Sequence, residues 1–347
     1  MPLQIDTRRC VPWLEDGDKQ RDVIISSRIR FARNLVDYPF PNRCDKQRKE
    51  EVRRSIETAA ESIPGEKTCL HLDKLETVEK NVLFERRLAS RELLGSSCAG
   101  LIYSEGESPG LMINEEDHLR LQLLGGGNKL EQLFKAASEL LRNLEKKLRF
   151  SYDEKWGYLT VCPTNIGTGL RASVLLHLPG LVLTKKIGKV LNAISNLGLT
   201  VRGFYGEGSS SQGFYFQLSN QVTLGRPAKE LCQTLCRVSD QIVDQERRAR
   251  QNLFAKSGPE IEDRIGRAYG ILNYCRRIAT AEAMNLISLC RLGVGGEIVA
   301  SHINYPTLDG LLFLIQPGHL EHSLDEKLAK KDRDYYRSER IKTELSA

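Results

Sequence analysis

The segment Cys162-Pro-Thr-Asn-Ile-Gly-Thr-Gly-Leu-Arg-Ala-Ser173 sets a glycine-turned loop between a thiol and a guanidinium. Gly167 and Gly169 allow a tight turn and a close approach of backbone to ligand. A Walker loop would need a lysine after its second glycine, and a dinucleotide fingerprint would need a third glycine; the segment completes neither. The cation on offer is Arg171, and a guanidinium fork grips phosphate oxygens without help from lysine. Four more arginines stand in comparable places. Arg28 and Arg30 alternate in Ser26-Ser-Arg-Ile-Arg30, so both side chains leave one side of a strand. Arg120 follows the acidic cluster Asn114-Glu-Glu-Asp-His118, and Arg202 precedes Gly203-Phe-Tyr-Gly-Glu-Gly208. One such arginine is ordinarily a solvated surface residue. Five beside turn glycines or at strand ends point to a convergent phosphate cage.

The elements that must position these residues follow from periodicity. Val23–Ser26 opens a strand that runs into Arg28 and Arg30, and residues 46–61 have a helical pattern. Residues 99–104, 110–114 and 117–124 read as strands, the last closed by Gly125-Gly-Gly127. Asn128 then opens a helix whose apolar face runs from Leu130 to Leu148, with Asn128 and Glu131 placed as a capping box. Residues 156–162 read as the strand that delivers the glycine loop. Residues 198–206 and 213–220 form two more strands across a polar turn at 206–212, and 228–252 is a helix. Strand patterns then vanish, and 260–292 and 308–343 read as helices. Strands adjacent in sequence favour an α+β fold with a mainly antiparallel sheet flanked by helices. The expected organisation is a catalytic domain over 1–255 and an all-helical domain over 256–347.

Composition narrows the function classes. With 347 residues, 40% hydrophobic and 28% charged, the chain reads as an ordinary soluble globular protein. No apolar run approaches the roughly 18–20 residues of a membrane helix, and the start lacks a signal-peptide core. Nine cysteines at irregular spacings suit reduced thiols in the cytoplasm. Cys232 and Cys236 have no second pair to complete a zinc site. The net charge of +6 favours an anionic partner, but aromatic content is only 7% and no nucleic-acid motif occurs.

Four segments carry a resemblance. "IISSRIRFARN", "INEEDHLRLQ", "CPTNIGTGLRASVLLHLP" and "VRGFYGEGS" resemble, in order and spacing, the signature segments of the ATP:guanido phosphotransferase (phosphagen kinase) family over roughly 22–254. Family members that act on free creatine or arginine carry a helical domain ahead of the first segment. Here that segment begins by residue 23 and a helical region follows instead, an arrangement similar to the bacterial protein-arginine kinase branch.

The resemblance implies a phosphagen-kinase, glutamine-synthetase-like catalytic fold and transfer of the ATP γ-phosphoryl group to arginine side chains in proteins. A delocalised guanidinium has no available lone pair, so carboxylates must orient it and draw off a proton. From chemistry alone Glu115 or Glu116 is a candidate. The resemblance selects Glu116, adds Glu207 as second carboxylate, and makes Cys162 a thiolate that favours the bound cation. It places ATP against Ser26, Ser27, Arg28, Ile29 and Arg30, against Arg87 and Arg120, and against Arg171, Ala172, Ser173, Val174 and Leu175. Arg202, Gly203, Phe204, Tyr205 and Gly206 complete that set. Mg²⁺ would bridge phosphates and water, since no dedicated acidic cage is visible. Two departures stand out. Arg87 in "FERRLAS" replaces a family histidine near the base, where a guanidinium could stack on adenine. The branch's phosphoarginine-binding tail motif "RDxxRA" reads Arg333-Asp334-Tyr-Tyr-Arg337-Ser338 here, with serine for alanine. The resemblance also implies a homodimer through the tail, a zinc-finger activator, a class III stress repressor and the Clp protease as partners. Two other readings stay open: a kinase of a free guanidino compound, and a catalytically silent nucleotide-binding regulator.

Overall fold

The computed structural model describes residues 3–14, 19–203, 213–296 and 298–346. Its strands are β1 (Ile24–Arg33), β2 (Lys67–His71), β3 (Gly100–Ser104), β4 (Gly110–Ile113), β5 (Leu119–Gly126), β6 (Tyr152–Asp153), β7 (Gly157–Tyr158), β8 (Leu170–His177), β9 (Leu199–Gly203) and β10 (Tyr215–Asn220). Eight of them form one antiparallel sheet in the order β2-β3-β4-β5-β1-β8-β10-β9, and β6 and β7 form a separate hairpin. The helices are α1 (Lys46–Ala60), α2 (Thr77–Glu85), α3 (Arg91–Gly95), α4 (Leu130–Glu145), α5 (Pro179–Leu183), α6 (Ile187–Ser195), α7 (Ala228–Tyr274), α8 (Thr280–Leu292), α9 (Tyr305–Leu314), α10 (Pro317–Leu324) and α11 (Lys330–Ser346). The α+β expectation and the antiparallel sheet are borne out.

The two faces of the sheet have different partners because strand side chains alternate. Ile29, Phe31, Leu121, Ala172, Val174 and Leu218 turn toward α1, α4 and α7 and form the main core. On the other face, Ile25, Leu124, Leu175 and Tyr215 pack under the C-terminal helices. A bulge between Ile24 and Ser26 shifts the β1 register. It lets Ile25 join that second core while Arg28 and Arg30 stay on the same face. The rest of that face, toward the other end of the strands, is left for polar residues.

Several sequence expectations are corrected. Residues 156–162 do not form a sheet strand: only Gly157–Tyr158 pairs, with β6, and a short 3₁₀ turn over Pro163–Asn165 follows. The backbone there spends its donors elsewhere, Leu159 N–H on Ser151 O and Val161 N–H on Asp117. Asn128 does not cap α4. Its amide bridges Gln20 and Asp240, and Ser27 Oγ meets the Lys129 N–H instead. The helix read over 228–252 continues to Tyr274, kinked at Ser257 just before Pro259, whose missing N–H interrupts the ladder. The helix expected over 260–292 is broken between Tyr274 and Thr280, and that over 308–343 is three helices divided at Gln316-Pro317 and at Asp325.

The C-terminal helices are tied to the sheet by charge as well as by apolar packing. Asp309 on α9, fully buried, accepts from Arg291 Nε at 2.7 Å and from Arg21 Nε at 3.2 Å. Arg291 also donates to the carbonyls of Asp22 and Arg21. Removing Asp309 takes the carboxylate away from the buried Arg291. Asp309→Ala is therefore expected to cost about 3–5 kcal/mol, read as a lower denaturation midpoint.

Candidate active site

Strand register explains how arginines distant in sequence meet. Arg30 lies opposite Gln122 on β5 and opposite Arg171 on β8; Arg120 lies opposite Ala32, and Arg202 opposite Gln217. Arg28, Arg30, Arg120, Arg171 and Arg202 come from four strands and line one cavity of about 1030 Å³, together with Arg87, Glu115, Glu116 and Cys162. Leu312 and Gln316 from the C-terminal helices form part of its wall.

The cavity is electrostatically prepared for an anion. Burial first, then the neighbouring Arg30, lowers the Arg28 pKa well below its ordinary value, with Arg87, Arg120 and Arg171 adding to the effect. Burial, followed by Arg120 and Arg171, pushes Arg30 down to about 9 against the pull of Glu115. Arginine holds its proton in proteins, so these shifts measure how strongly the gathered cations call for negative charge. Among the described residues, Arg30 Nε is buried without a hydrogen-bond partner. A polyphosphate matches that donor and that charge, which is the fit expected for ATP.

The two candidate glutamates are separated by their contacts. Glu115 is buried, accepts from Ser90 Oγ, and pairs with Arg120 Nη1 at 2.5 Å. It holds a cage arginine in place. Glu116 is 38% exposed and meets Arg120 Nη2 only at 3.5 Å. Burial, then the adjacent Asp117, raises its pKa. Of these two, Glu116 is the one left open to the cavity. Cys162 is half-buried at the cavity wall, its Sγ 3.0 Å from Thr164 Oγ1.

Behind these residues stands a scaffold that sequence reading passed over. Asp117 accepts from Asn34 Nδ2 at 2.6 Å and from the Val161 N–H at 2.8 Å. It thereby ties the loop bearing Glu116 to the loop bearing Cys162. The His118 N–H donates to Asn34 Oδ1, and His118 Nδ1 accepts from the Leu35 N–H. Burial pushes His118 down to about 4, so the ring is a neutral acceptor. Gln122 Nε2 donates to the Arg87 carbonyl, where the chain has φ 63°. The only sequence signal for this scaffold was the Asp-His pair after the glutamates, which looks the same as a solvated charge cluster.

The glycines are explained by close backbone approach. A Cβ on Gly167 (φ 105°) would lie 2.5 Å from Thr223 O, and one on Gly169 (φ 63°) 2.5 Å from Ala32 O. The loop is held against β1 and the start of the segment leading to α7, and it delivers Arg171 at the first turn of β8.

Not every expected nucleotide contact faces the cavity. Ser27 Oγ donates to Gly127 O on the opposite side, and Ile29, Ala172 and Val174 lie in the main core. Leu175 packs in the second core. Ser26 is buried, and Ser173 Oγ accepts from Arg28 Nε at 3.4 Å. Alternation thus leaves Arg28, Arg30 and Ala32 of β1 and Arg171 of β8 on the cavity wall. Gly203 ends β9; Phe204, Tyr205, Gly206 and Glu207 lie outside the described residues. In the tail, Arg337 is turned inward, donating to Ile278 O, Ile315 O and Asp334. Asp334 is engaged there rather than open to a ligand guanidinium. Arg333 meets Glu321 at 3.2 Å, and Ser338 Oγ donates to Arg276 O.

Comparison with known proteins places this geometry. The model of the family described as ATP:guanido phosphotransferase, C-terminal catalytic domain, matches residues 48–249, and that described as Protein-arginine kinase McsB C-terminal domain matches 258–347. A protein-arginine kinase of Halothermothrix orenii is 46% identical over 338 residues, covering 96% of each chain. One of Symbiobacterium thermophilum is 40% identical over 344 residues, again covering 96% of each. The crystal structure of a lombricine kinase superposes with a TM-score of 0.60 at 24% identity over 71% of each chain, a likeness of fold.

Proposed function

The chain belongs to the ATP:guanido phosphotransferase family, and from that premise we propose that its arginine-lined cavity holds the phosphates of ATP and presents the γ-phosphoryl group to a protein arginine engaged by Glu116. The enzyme is an ATP-dependent phosphotransferase acting on arginine side chains in proteins. The observation that carries the site assignment is the meeting of five guanidiniums from four strands with one half-exposed carboxylate of raised pKa.

In the reaction a guanidinium nitrogen forms the new P–N bond as the bond from the γ-phosphorus to the β,γ-bridging oxygen breaks, and the displaced proton goes to a carboxylate. Glu116 takes that proton and orients the acceptor; Glu115 holds Arg120. The arginines align the phosphates and stabilise charge in transfer. Cys162 stands beside the acceptor as an electrostatic aid. Mg²⁺ would supply further charge on the phosphates. Among the described carboxylates on the cavity wall, Glu115 is engaged with Arg120 and Glu85 with the start of α10, so neither of these two is open to the ion.

A phosphoarginine site in the tail is a further part of the reading, and the contacts above narrow it. Arg333 is its more accessible cation, while Arg337, Asp334 and Ser338 build the wall. Residues 256–347 would serve as the regulatory and dimerising region. Exposed Ile271, Tyr274 and Tyr335 lie on it. The activator, repressor and Clp protease partners and the cytoplasmic location belong to the same proposal. Among the described residues no helix is long and apolar enough to cross a membrane.

The test of substrate class is to supply ATP with an arginine-rich protein, and separately with free arginine, and detect acid-labile phosphate. Transfer to the protein is expected; transfer to free arginine alone would favour the free-guanidino reading. The pH dependence has a definite sign. Glu116 accepts a proton only when ionised, so kcat/KM should fall as pH drops through its raised pKa. The acid limb is expected above the ordinary carboxylate value of 4.5, and it should be absent from the residual activity of Glu116→Gln. A wild-type limb at or below 4.5 would contradict the assignment.

A further inference from the structure

Away from the cleft, the last turn of α1 and the strand β2 bring three kinds of metal ligand together. β2 pairs only with β3 in the described sheet and alternates, so Cys69 and His71 share a face while Leu70 between them is buried in a separate core. Glu57 reaches that face from α1. Its Oε1 is 3.1 Å from His71 Nε2 and 3.6 Å from Cys69 Sγ. One ligand atom from each of the three lies within 4.8 Å of the others. Metal–ligand bonds of about 2.0–2.3 Å in a tetrahedron separate neighbouring donors by roughly 3.3–3.8 Å. These side chains already stand at close to that spacing.

We propose that Glu57, Cys69 and His71 form a binding site for a zinc-type divalent cation, with water in the fourth position. Thiolate, imidazole and carboxylate together are a donor set for a borderline transition cation rather than for Mg²⁺ or Ca²⁺. None of the three lines the catalytic cavity, so the site is separate from phosphoryl transfer. Cys69 is the exposed cysteine of the nine, and β2 lies at the edge of the sheet, so the cation needs no entry path. Arg53 Nε lies 3.6 Å from the same Glu57 oxygen, and its aliphatic stem crosses Gly100. It contacts the carboxylate at that distance without a hydrogen bond, while the cysteine and histidine donors face the same oxygen. On binding a dication the Cys69 S–H bond would break, the sulfur would coordinate, and one proton would leave to solvent. The bound ion would cross-link α1 to the sheet edge.

The full chain, reduced and stripped of metal with a chelator, is titrated with Co²⁺ as a spectroscopic probe and then with Zn²⁺. One equivalent of Co²⁺ is expected to produce a thiolate-to-cobalt charge-transfer band in the near ultraviolet, releasing about one proton, and Zn²⁺ should displace it. Cys69→Ser should abolish the band, and His71→Gln should weaken Zn²⁺ binding by at least about tenfold, while Cys162→Ser leaves both unchanged. Phosphotransfer by Cys69→Ser should match the wild type. Absence of the band, or a band that survives Cys69→Ser or disappears with Cys162→Ser, overturns the proposal.

Discussion

Glu116→Gln is expected to lower turnover by roughly 10²–10⁴-fold, the usual contribution of a positioned general base, while leaving the fold and ATP affinity close to wild type. The amide is nearly isosteric with the carboxylate but cannot take a proton from the guanidinium. Because Glu116 touches Arg120 only at 3.5 Å, its loss does not release that arginine; Glu115 keeps it at 2.5 Å. The measurement is steady-state turnover with a protein acceptor, alongside ATP binding by calorimetry. Activity within about twofold of wild type would move the base to another carboxylate. Glu115→Gln is the informative companion. It should loosen Arg120 and weaken ATP binding as well as rate, a different signature from the loss of a base.

The second large effect is expected at Arg171. Lysine keeps the charge but replaces a planar fork with a point charge, so alignment of the phosphate is lost more than attraction. Turnover should fall by about 10²–10³-fold, the scale of removing one preorganised donor to developing charge, with only a modest drop in ATP affinity. Arg30 across the register and Arg28 two pairs along, on the same face, would still hold the nucleotide. A variant in which only the KM for ATP rose would show that Arg171 binds the ground state and transition state alike.

Much of the architecture was legible from periodicity. The short apolar runs that became β3 and β4, buried on both faces, the alternating run of β5 and the apolar stripe of α4 could be read because burial of a strand or a helix face dictates which residues are apolar. Helix ends were less legible. Asn128 carries a capping signature, yet its amide is used between Gln20 and Asp240, which are distant in sequence. The segment before Cys162 has the composition of a strand, but the strand it would have joined is replaced by Asp117 and Ser151 as hydrogen-bond partners. Propensity reports what a segment favours alone, and tertiary partners outweigh it.

By itself the sequence determined which groups could do the chemistry: the arginines spaced at strand intervals, the glycines before Arg171, and the paired glutamates. Residue type and local spacing suffice for that, because they set charge, reach and the face from which a side chain leaves. Only the tertiary structure decided which of these act together and how. Strand register brought Arg30, Arg120, Arg171 and Arg202 to one cavity. Burial and a serine made Glu115 a brace and left Glu116 available. Arg337 became a tie between carbonyls rather than an exposed clamp. The physical reason is that ionisation, desolvation and hydrogen bonding depend on neighbours a few ångströms away, and in a sheet whose strand order departs from chain order those neighbours come from remote parts of the sequence.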